Sequence, residues 1–302
     1  LPVNGWFLVE RFVTSFVVMA AVALLTFMLI DLAPGSFVDE LSVNPQISPA
    51  TLARMRDQYR LDRPFYQKFW QWGRSVTQGD FGYSFVYQRP IRQLVAERLW
   101  NTVRLNLAAL VVAWLAGMTL GLAAAAARGS AVDWTIGALT TTLLSSPAVV
   151  LAIVLLACAA RLGVSLGSLF LPVAAVAAVW LPAIARHTRG ALLSALDAPH
   201  MLAARARGVG RARLLLVHAL REALSPLTSV VGVSVAALLS ASLPVEVVMS
   251  WPGIGQLTFD AVLKRDIFLV VDLVQLSALL LLAGNTAGDL LLHALDPRIS
   301  RS

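Results

Sequence analysis

Residues Asp197–Pro226 read DAPHMLAARARGVGRARLLLVHALREALSP, a basic, small-residue-rich stretch set between two long apolar segments. Asp197-Ala198-Pro199 has the form of a helix start, with a carboxylate near the positive end and proline in the first turn. Met201 to Arg207 follows as a short helix pattern, and Gly208-Val209-Gly210 breaks it. A second helix is predicted beyond, with Leu216, Leu220, Ala223, Leu224 and Leu227 on one apolar stripe. The simplest account of such a segment is a positively charged loop that orients a membrane protein. A docking element for a partner protein is the alternative.

The surroundings are those of a membrane. The 302 residues are 58% hydrophobic and only 14% charged, with a mean hydropathy of +0.75. Soluble domains carry about 25% charged residues, so the chain is expected to be an all-α integral membrane protein. A net charge of +7 is explained by basic loops at the membrane surface. No nucleic-acid-binding motif accompanies it, so nucleic acid is excluded as a partner. Six spans are predicted at about 12–30, 100–127, 134–160, 168–185, 226–249 and 267–295, forming one transmembrane domain over 1–302. The long polar segment 31–99 is an extramembrane loop. Within it Ser48–Arg60 carries a charged helix pattern, and Phe65, Tyr66, Phe69, Trp70 and Trp72 form an aromatic cluster suited to the membrane–water interface. Gly79-Asp80-Phe81-Gly82 is read as a turn.

Lysine and arginine in the short loops set the orientation. With the N-terminus in the cytoplasm, eleven lie inside: Arg11, Arg128, the seven arginines from Arg186 to Arg221, Arg298 and Arg301. Only Arg161, Lys264 and Arg265 lie in short outside loops. Both termini and the loop 186–225 are therefore expected in the cytoplasm.

Catalytic chemistry finds little footing. The chain has only Lys68 and Lys264, and neither completes a G-x-x-x-x-G-K-[ST] pattern. The histidines 187, 200, 218 and 293 form no H-E-x-x-H pair, and the single Cys158 lies in an apolar run, where it is read as a small hydrophobe. No catalytic residue, metal ligand or cofactor is expected in the chain. Polar groups inside spans need a partner or a purpose. Glu246 closes the fifth span just before Ser250-Trp251-Pro252-Gly253-Ile254-Gly255, where it lines a pathway or marks a wet boundary. Asp272 and Gln275 add polarity to the last span. Glu246, Trp251, Asp272 and Gln275 are the candidates for a pathway or outer gate.

These residues together carry a resemblance. Ala203-Ala204-Arg205-Ala206-Arg207-Gly208, followed by His218-Ala219-Leu220-Arg221, is similar to the cytoplasmic EAA loop of the membrane-spanning subunits of bacterial ABC importers. More narrowly, the chain resembles the permeases of the dipeptide/oligopeptide/nickel group. Leu32-Ala33-Pro34-Gly35, Leu61-Asp62-Arg63-Pro64, Gly79-Asp80-Phe81-Gly82-Tyr83-Ser84, the Glu246 and Ser250–Gly255 block, and Asp296-Pro297-Arg298-Ile299 occur in that group's order. Departures are Leu202 for the motif's Glu, His200 for the usual Tyr, Ile267-Phe268 for Tyr-Pro, a short Cys158–Gly167 region, and the polar Asp272 and Gln275.

The resemblance implies the type I ABC importer permease architecture, six transmembrane helices with a coupling helix. It also implies a bacterial cytoplasmic (inner) membrane location and three kinds of partner: a second homologous permease, two ABC ATPase subunits or domains that bind ATP and Mg, and an external substrate-binding protein. Ala203, Ala204, Arg205, Arg207, Gly208, Gly210 and Arg211 would form the ATPase-coupling loop. Dipeptides or short oligopeptides are the implied cargo, with nickel, glutathione and haem as alternatives. An ion-gradient-driven transporter or channel and an intramembrane enzyme are the readings from other classes. The first lacks a clear internal repeat, and the second lacks a convergent titratable set.

Overall fold

A computed structural model describes residues 5–32, 64–84, 86–163 and 169–295. The predicted helix at 48–60 and the motifs at 33–35, 61–63 and 296–299 lie outside the described residues. In chain order come α1 (Gly5–Leu32), α2 (Phe65–Thr77), a two-residue antiparallel ladder of β1 (Tyr83–Ser84) and β2 (Arg89–Pro90), and α3 (Ile91–Ala126). Next are α4 (Ala131–Ser145), α5 (Ala148–Arg161), α6 (Phe170–Leu196) and α7 (Pro199–Ala206). One turn at Arg211–Arg213 and a π-helical segment at Leu214–Ala219 lead into α8 (Leu220–Val248), followed by α9 (Ile254–Leu263) and α10 (Ile267–Leu295). Among the described residues, four helices or parts of helices are long and apolar enough to cross a membrane, and counting two bent pairs as one crossing each gives six. The fold is that of a helical membrane protein, as predicted.

One bent pair occupies the span predicted at 134–160. The chain turns by 112° between α4 and α5. Pro147 has no amide hydrogen and sits extended (φ −60°, ψ 146°) at the start of α5. The hydroxyls of Ser145 and Ser146 both donate to the Thr142 carbonyl, at 3.0 and 2.8 Å. They satisfy a carbonyl that the ended helix leaves open, which is how an apolar segment tolerates a break. The fourth span differs from expectation. Arg186, His187 and Arg189 mark a polar edge of the apolar run, yet α6 continues through them to Leu196. Residues 186–196 are mostly good helix formers, so the basic loop proper begins at Asp197 rather than at 186.

The chain separates into two compact units. In the first (residues 102–251 and 281–302), α6 is the central helix and packs on α4, α5 and α8. Leu105, Ala109 and Ala113 of α3 meet Val176, Ile184 and Leu238 in its main core. At Gly117 and Gly121 α3 comes so close to α6 that a Cβ on Gly121 would stand 2.6 Å from the Ala185 carbonyl oxygen and 2.6 Å from Thr188 Cβ. Gly117-x-x-x-Gly121 is thus a small-residue groove of the kind that lets membrane helices touch backbone to backbone.

In the second unit (residues 5–101 and 252–280), Ile91 and Leu94 of α3 pack with Ile254, Leu257, Leu269 and Leu273. Phe69 and Trp72 of α2 pack edge-on against Phe27 of α1. Buried Asp266 ties the β-ladder region to the start of α10. Its Oδ2 accepts from Ser84 Oγ at 2.5 Å and from the Val86 amide at 3.2 Å. Gly79 (φ +76°) and Gly82 (φ +77°) form the predicted turn before the ladder.

Candidate functional site

The basic loop is built around one short helix and one glycine. Pro199 occupies the first turn of α7, as its sequence position predicts. Asp197, the carboxylate expected near the start of this helix, ends α6 and pairs with Arg128 at 3.0 Å. Both partners are more than half exposed, so the pair adds little stability. At the other end α7 closes in a Schellman motif. The Gly208 amide donates to the Arg205 carbonyl at 3.0 Å and the Val209 amide to the Ala204 carbonyl at 3.2 Å. Gly208 has φ +82°, and a Cβ there would meet nothing within 4 Å. Glycine is thus required by backbone conformation, not by crowding. Gly210 has φ −62° and ψ 148°, which any residue adopts.

One side of α7 is fastened down. Met201 is buried in a small core with Ala125 of α3, Leu192 and Ala195 of α6, and Leu214, Ala219 and Ala223; Ala204 and Val209 pack against its edge. Arg211 Nη2 donates to the Ala126 carbonyl at 2.6 Å, neutralising the negative end of α3. The other side is open: Leu202, Ala203, Arg205, Ala206 and Arg207 are exposed. Of the two alanines placed in the coupling loop, Ala203 therefore faces outward and Ala204 inward.

Of the apolar stripe predicted beyond Gly210, Ala223 and Leu227 are buried and Leu220 packs at the edge of the core, but Leu216 and Leu224 are not buried. Leu216 and Leu224 are about half exposed, whereas Leu214, Leu215, Ala219, Ala223 and Leu227 are buried. The π-helical segment Leu214–Ala219 is the cause. A wider turn shifts the register by one residue, which a fixed 3.6-residue period cannot anticipate.

Asp133 and Arg189 form a bidentate pair in the same unit, Nε to Oδ1 at 2.7 Å and Nη2 to Oδ2 at 2.8 Å. The Gly129 amide adds a third hydrogen bond to Asp133. The pair fixes α4 to α6 and lines an open cleft of about 760 Å³ together with Trp134, Gly137, Thr141 and Arg186.

The four pathway candidates fall in two places. In the first unit Glu246 is fully buried and accepts from Thr102 Oγ1 of α3 at 2.8 Å. One turn away Asn106 Nδ2 donates to Ser242 Oγ at 3.0 Å, and Trp114 Nε1 donates to Ser234 Oγ at 3.0 Å. These contacts make a polar ladder between α3 and α8. Trp251 packs against the main core. Its amide donates to the Glu246 carbonyl at 2.9 Å, across Ser250 in the left-handed region at φ 51°.

In the second unit Asp272 and Gln275 lie three residues apart on α10, both nearly buried. Trp72 Nε1 donates to Asp272 Oδ1 at 2.7 Å. Among the described residues, Asp272 Oδ2 and Gln275 Nε2 have no hydrogen-bond partner. Among the described residues no three His, Cys, Asp or Glu side chains gather in a metal-sized group.

Several of these positions were missed in the sequence. Gly117 and Gly121 carry a legible four-residue spacing. Thr102 and Asn106, four apart in an apolar run, mirror Ser242 and Glu246, also four apart, and that match was available. The Asp133–Arg189 pair, 56 residues apart, had no local signal.

Residues 6–106 match the N-terminal component, and residues 117–301 the main component, of the binding-protein-dependent transport system inner membrane family. The chain is 32% identical to the glutathione transport system permease protein GsiC of Salmonella typhimurium over 304 residues, covering 97% of this chain and 98% of that one. It is 28% identical to the oligopeptide transport system permease protein AppB of Bacillus subtilis over 315 residues, again covering 97% and 98%. Among solved structures, a chain of the MetNI methionine ABC transporter in an inward-facing conformation superposes with a TM-score of 0.58 at 21% identity, covering 68% of this chain and 97% of that one. The MetNI likeness bears on fold alone. With family matches along nearly its whole length, the chain belongs to the inner-membrane permeases of binding-protein-dependent ABC importers.

Proposed function

We propose that this permease forms half of a transmembrane pathway for dipeptides or short oligopeptides, paired with a second homologous permease. An external binding protein delivers the cargo, and two cytoplasmic ABC ATPase subunits or domains bind ATP and Mg. The chain itself is non-catalytic and holds no cofactor, and it has no Walker lysine. Its termini and basic loop face the cytoplasm, on the eleven-to-three count of short-loop Lys and Arg.

The observation that carries the coupling role is α7. It is a short helix held on one side by Met201 and stopped by a left-handed Gly208, with Ala203, Arg205 and Arg207 presented outward. The arginines offer charge-assisted hydrogen bonds to acidic partner surface. The small core beneath α7 joins it to the ends of α3 and α6 and to the start of α8. A push on α7 is therefore delivered to three spans as a rigid-body displacement. In the same unit, Glu246 and Trp251 are positioning residues for the outer turn; in the second unit, Asp272 and Gln275 are the polar candidates on α10.

Glutathione is the second cargo reading, favoured by the 32% identity to a glutathione permease over nearly the full chain. Both readings are tested by purifying the tagged chain from its native membrane, identifying what accompanies it, and measuring uptake into vesicles. Co-purification of ATPase subunits with ATP-dependent uptake of labelled dipeptides supports the first reading, and uptake of glutathione in preference supports the second. A lone chain with ion-driven flux would overturn both.

A further inference from the structure

The helix α2 presents two different aromatic faces. Phe69 and Trp72 face α1 and α10: both rings stack on Phe27, and Trp72 donates to Asp272. Tyr66, Trp70, Arg74 and Thr77 lie on the opposite stripe, at spacings of four, four and three residues, and all four are exposed. Trp70 is 75% exposed and Tyr66 59%. The Arg74 side chain makes no ion pair or hydrogen bond among the described residues.

The two inward contacts fix where α2 lies relative to its neighbours. Phe27 is five residues before the end of α1 and Asp272 five residues after the start of α10. At 1.5 Å per residue both are about 7.5 Å inside the helix ends. Both helices are candidate membrane spans, so α2 lies across two span ends on the same side of the membrane. At that depth the hydrocarbon core of a bilayer gives way to its ester and headgroup layer. Beside α2 the α1 surface is apolar and open, with Met28, Leu29 and Leu32 all at least half exposed. Tyrosine and tryptophan with a flanking cation suit that layer.

We infer that α2 is an interfacial anchor whose Tyr66–Trp70–Arg74 stripe embeds in the headgroup layer of the bilayer, with Arg74 pairing the phosphate of an anionic phospholipid. The inward face, clamped by Trp72 and Asp272, joins this anchor to the starts and ends of the spans. The anchor thereby sets the depth and tilt of the second unit in the membrane. The inference does not depend on the transported cargo.

The test uses the complete importer in vesicles of phosphatidylethanolamine and phosphatidylglycerol. In a Cys158→Ser background, an environment-sensitive NBD label is placed at Trp70→Cys and, as a water-facing control, at Gly79→Cys. The label at 70 should be quenched by lipids spin-labelled near the headgroup and shielded from aqueous iodide, with or without the external binding protein; the label at 79 should behave in the opposite way. Iodide quenching at 70 equal to that at 79 overturns the inference. Shielding at 70 that appears only when the binding protein is added also overturns it and makes the stripe a protein-docking face. Truncating Trp70 leaves the Phe27–Phe69–Trp72 packing in place, so the label reports on a folded protein. In a second arm, Arg74→Gln should lower phosphatidylglycerol retention in native mass spectra about fivefold, the equivalent of ~1 kcal/mol for one cation at an anionic surface. Unchanged retention overturns the pairing of Arg74 with an anionic lipid.

Discussion

Replacing Gly121 by alanine adds one methyl group where α3 and α6 touch. The new Cβ would lie 2.6 Å from the Ala185 carbonyl oxygen and 2.6 Å from Thr188 Cβ, where ordinary contact begins near 3.4 Å. The helices must separate locally by about 0.8 Å, because the obstacle on α6 is backbone and a β-branched side chain, neither of which can swing aside. Overpacking of this kind costs about 1–3 kcal/mol, which corresponds to roughly 2–5 °C in melting temperature for a chain of this size. Gly137→Ala is the matched control, a helical glycine with nothing within 4 Å of an added Cβ. There alanine should stabilise slightly through helix propensity. The assay is thermal unfolding of the detergent-solubilised importer followed by size-exclusion fluorescence. Because α6 leads directly into the basic loop, Gly121→Ala should also lower ATP-driven uptake. Equal melting temperatures for the two variants would refute the close-packing argument.

Other outcomes follow from the same geometry. Arg189→Lys should not replace arginine against Asp133, because a single ammonium cannot make both parallel hydrogen bonds; thermal unfolding should show Arg189→Lys close to Arg189→Ala, each destabilised by about 1–3 kcal/mol. Glu246→Gln keeps an acceptor for Thr102 and should leave substrate KM and stability near wild type, whereas Glu246→Leu should lose about 0.6–1.7 kcal/mol in thermal unfolding. A KM shift in Glu246→Gln would instead place Glu246 on the pathway. Single cysteines at the exposed Gly79 and Lys264 should react with membrane-impermeant reagent from outside intact cells, and one at Gly210 should not. Labelling at Gly210 would reverse the orientation.

How much of this was legible in the sequence depends on how local each feature is. The helix at Pro199–Ala206 and the left-handed turn at Gly208 were legible, because proline at a helix start and glycine at its end are rules of adjacent residues. The six apolar segments were legible because the bilayer imposes their length. The buried face after Gly210 was legible at Ala223 and Leu227 but not at Leu214 and Leu215, where the π-helical segment at Leu214–Ala219 alters the period. Pro147 was visible, but the 112° turn there depends on the hydroxyls of Ser145 and Ser146 capturing an open carbonyl. Asp197 was legible as a carboxylate near a helix start, but its pairing with Arg128, 69 residues away, was not. Glu246 was marked as polar and therefore purposeful, yet its partner Thr102, 144 residues away, is a property of the packed helices.

The central claim is that α7 and its glycine stop transmit ATP-driven motion to the spans. The most direct test is uptake per ATP hydrolysed by the complete importer in vesicles, comparing Gly208→Val, Gly208→Asn and Gly210→Ala with wild type. A β-branched residue at φ +82° is strained by roughly 1–2 kcal/mol, asparagine tolerates that region, and Gly210 is already in a conformation open to alanine. The account predicts that Gly208→Val inserts normally but loses ATPase binding or uptake per ATP, that Gly208→Asn keeps most of its coupling, and that Gly210→Ala matches wild type. Normal uptake, normal ATPase rate and normal complex recovery for Gly208→Val would contradict it and leave the loop as a charged segment that only orients the chain.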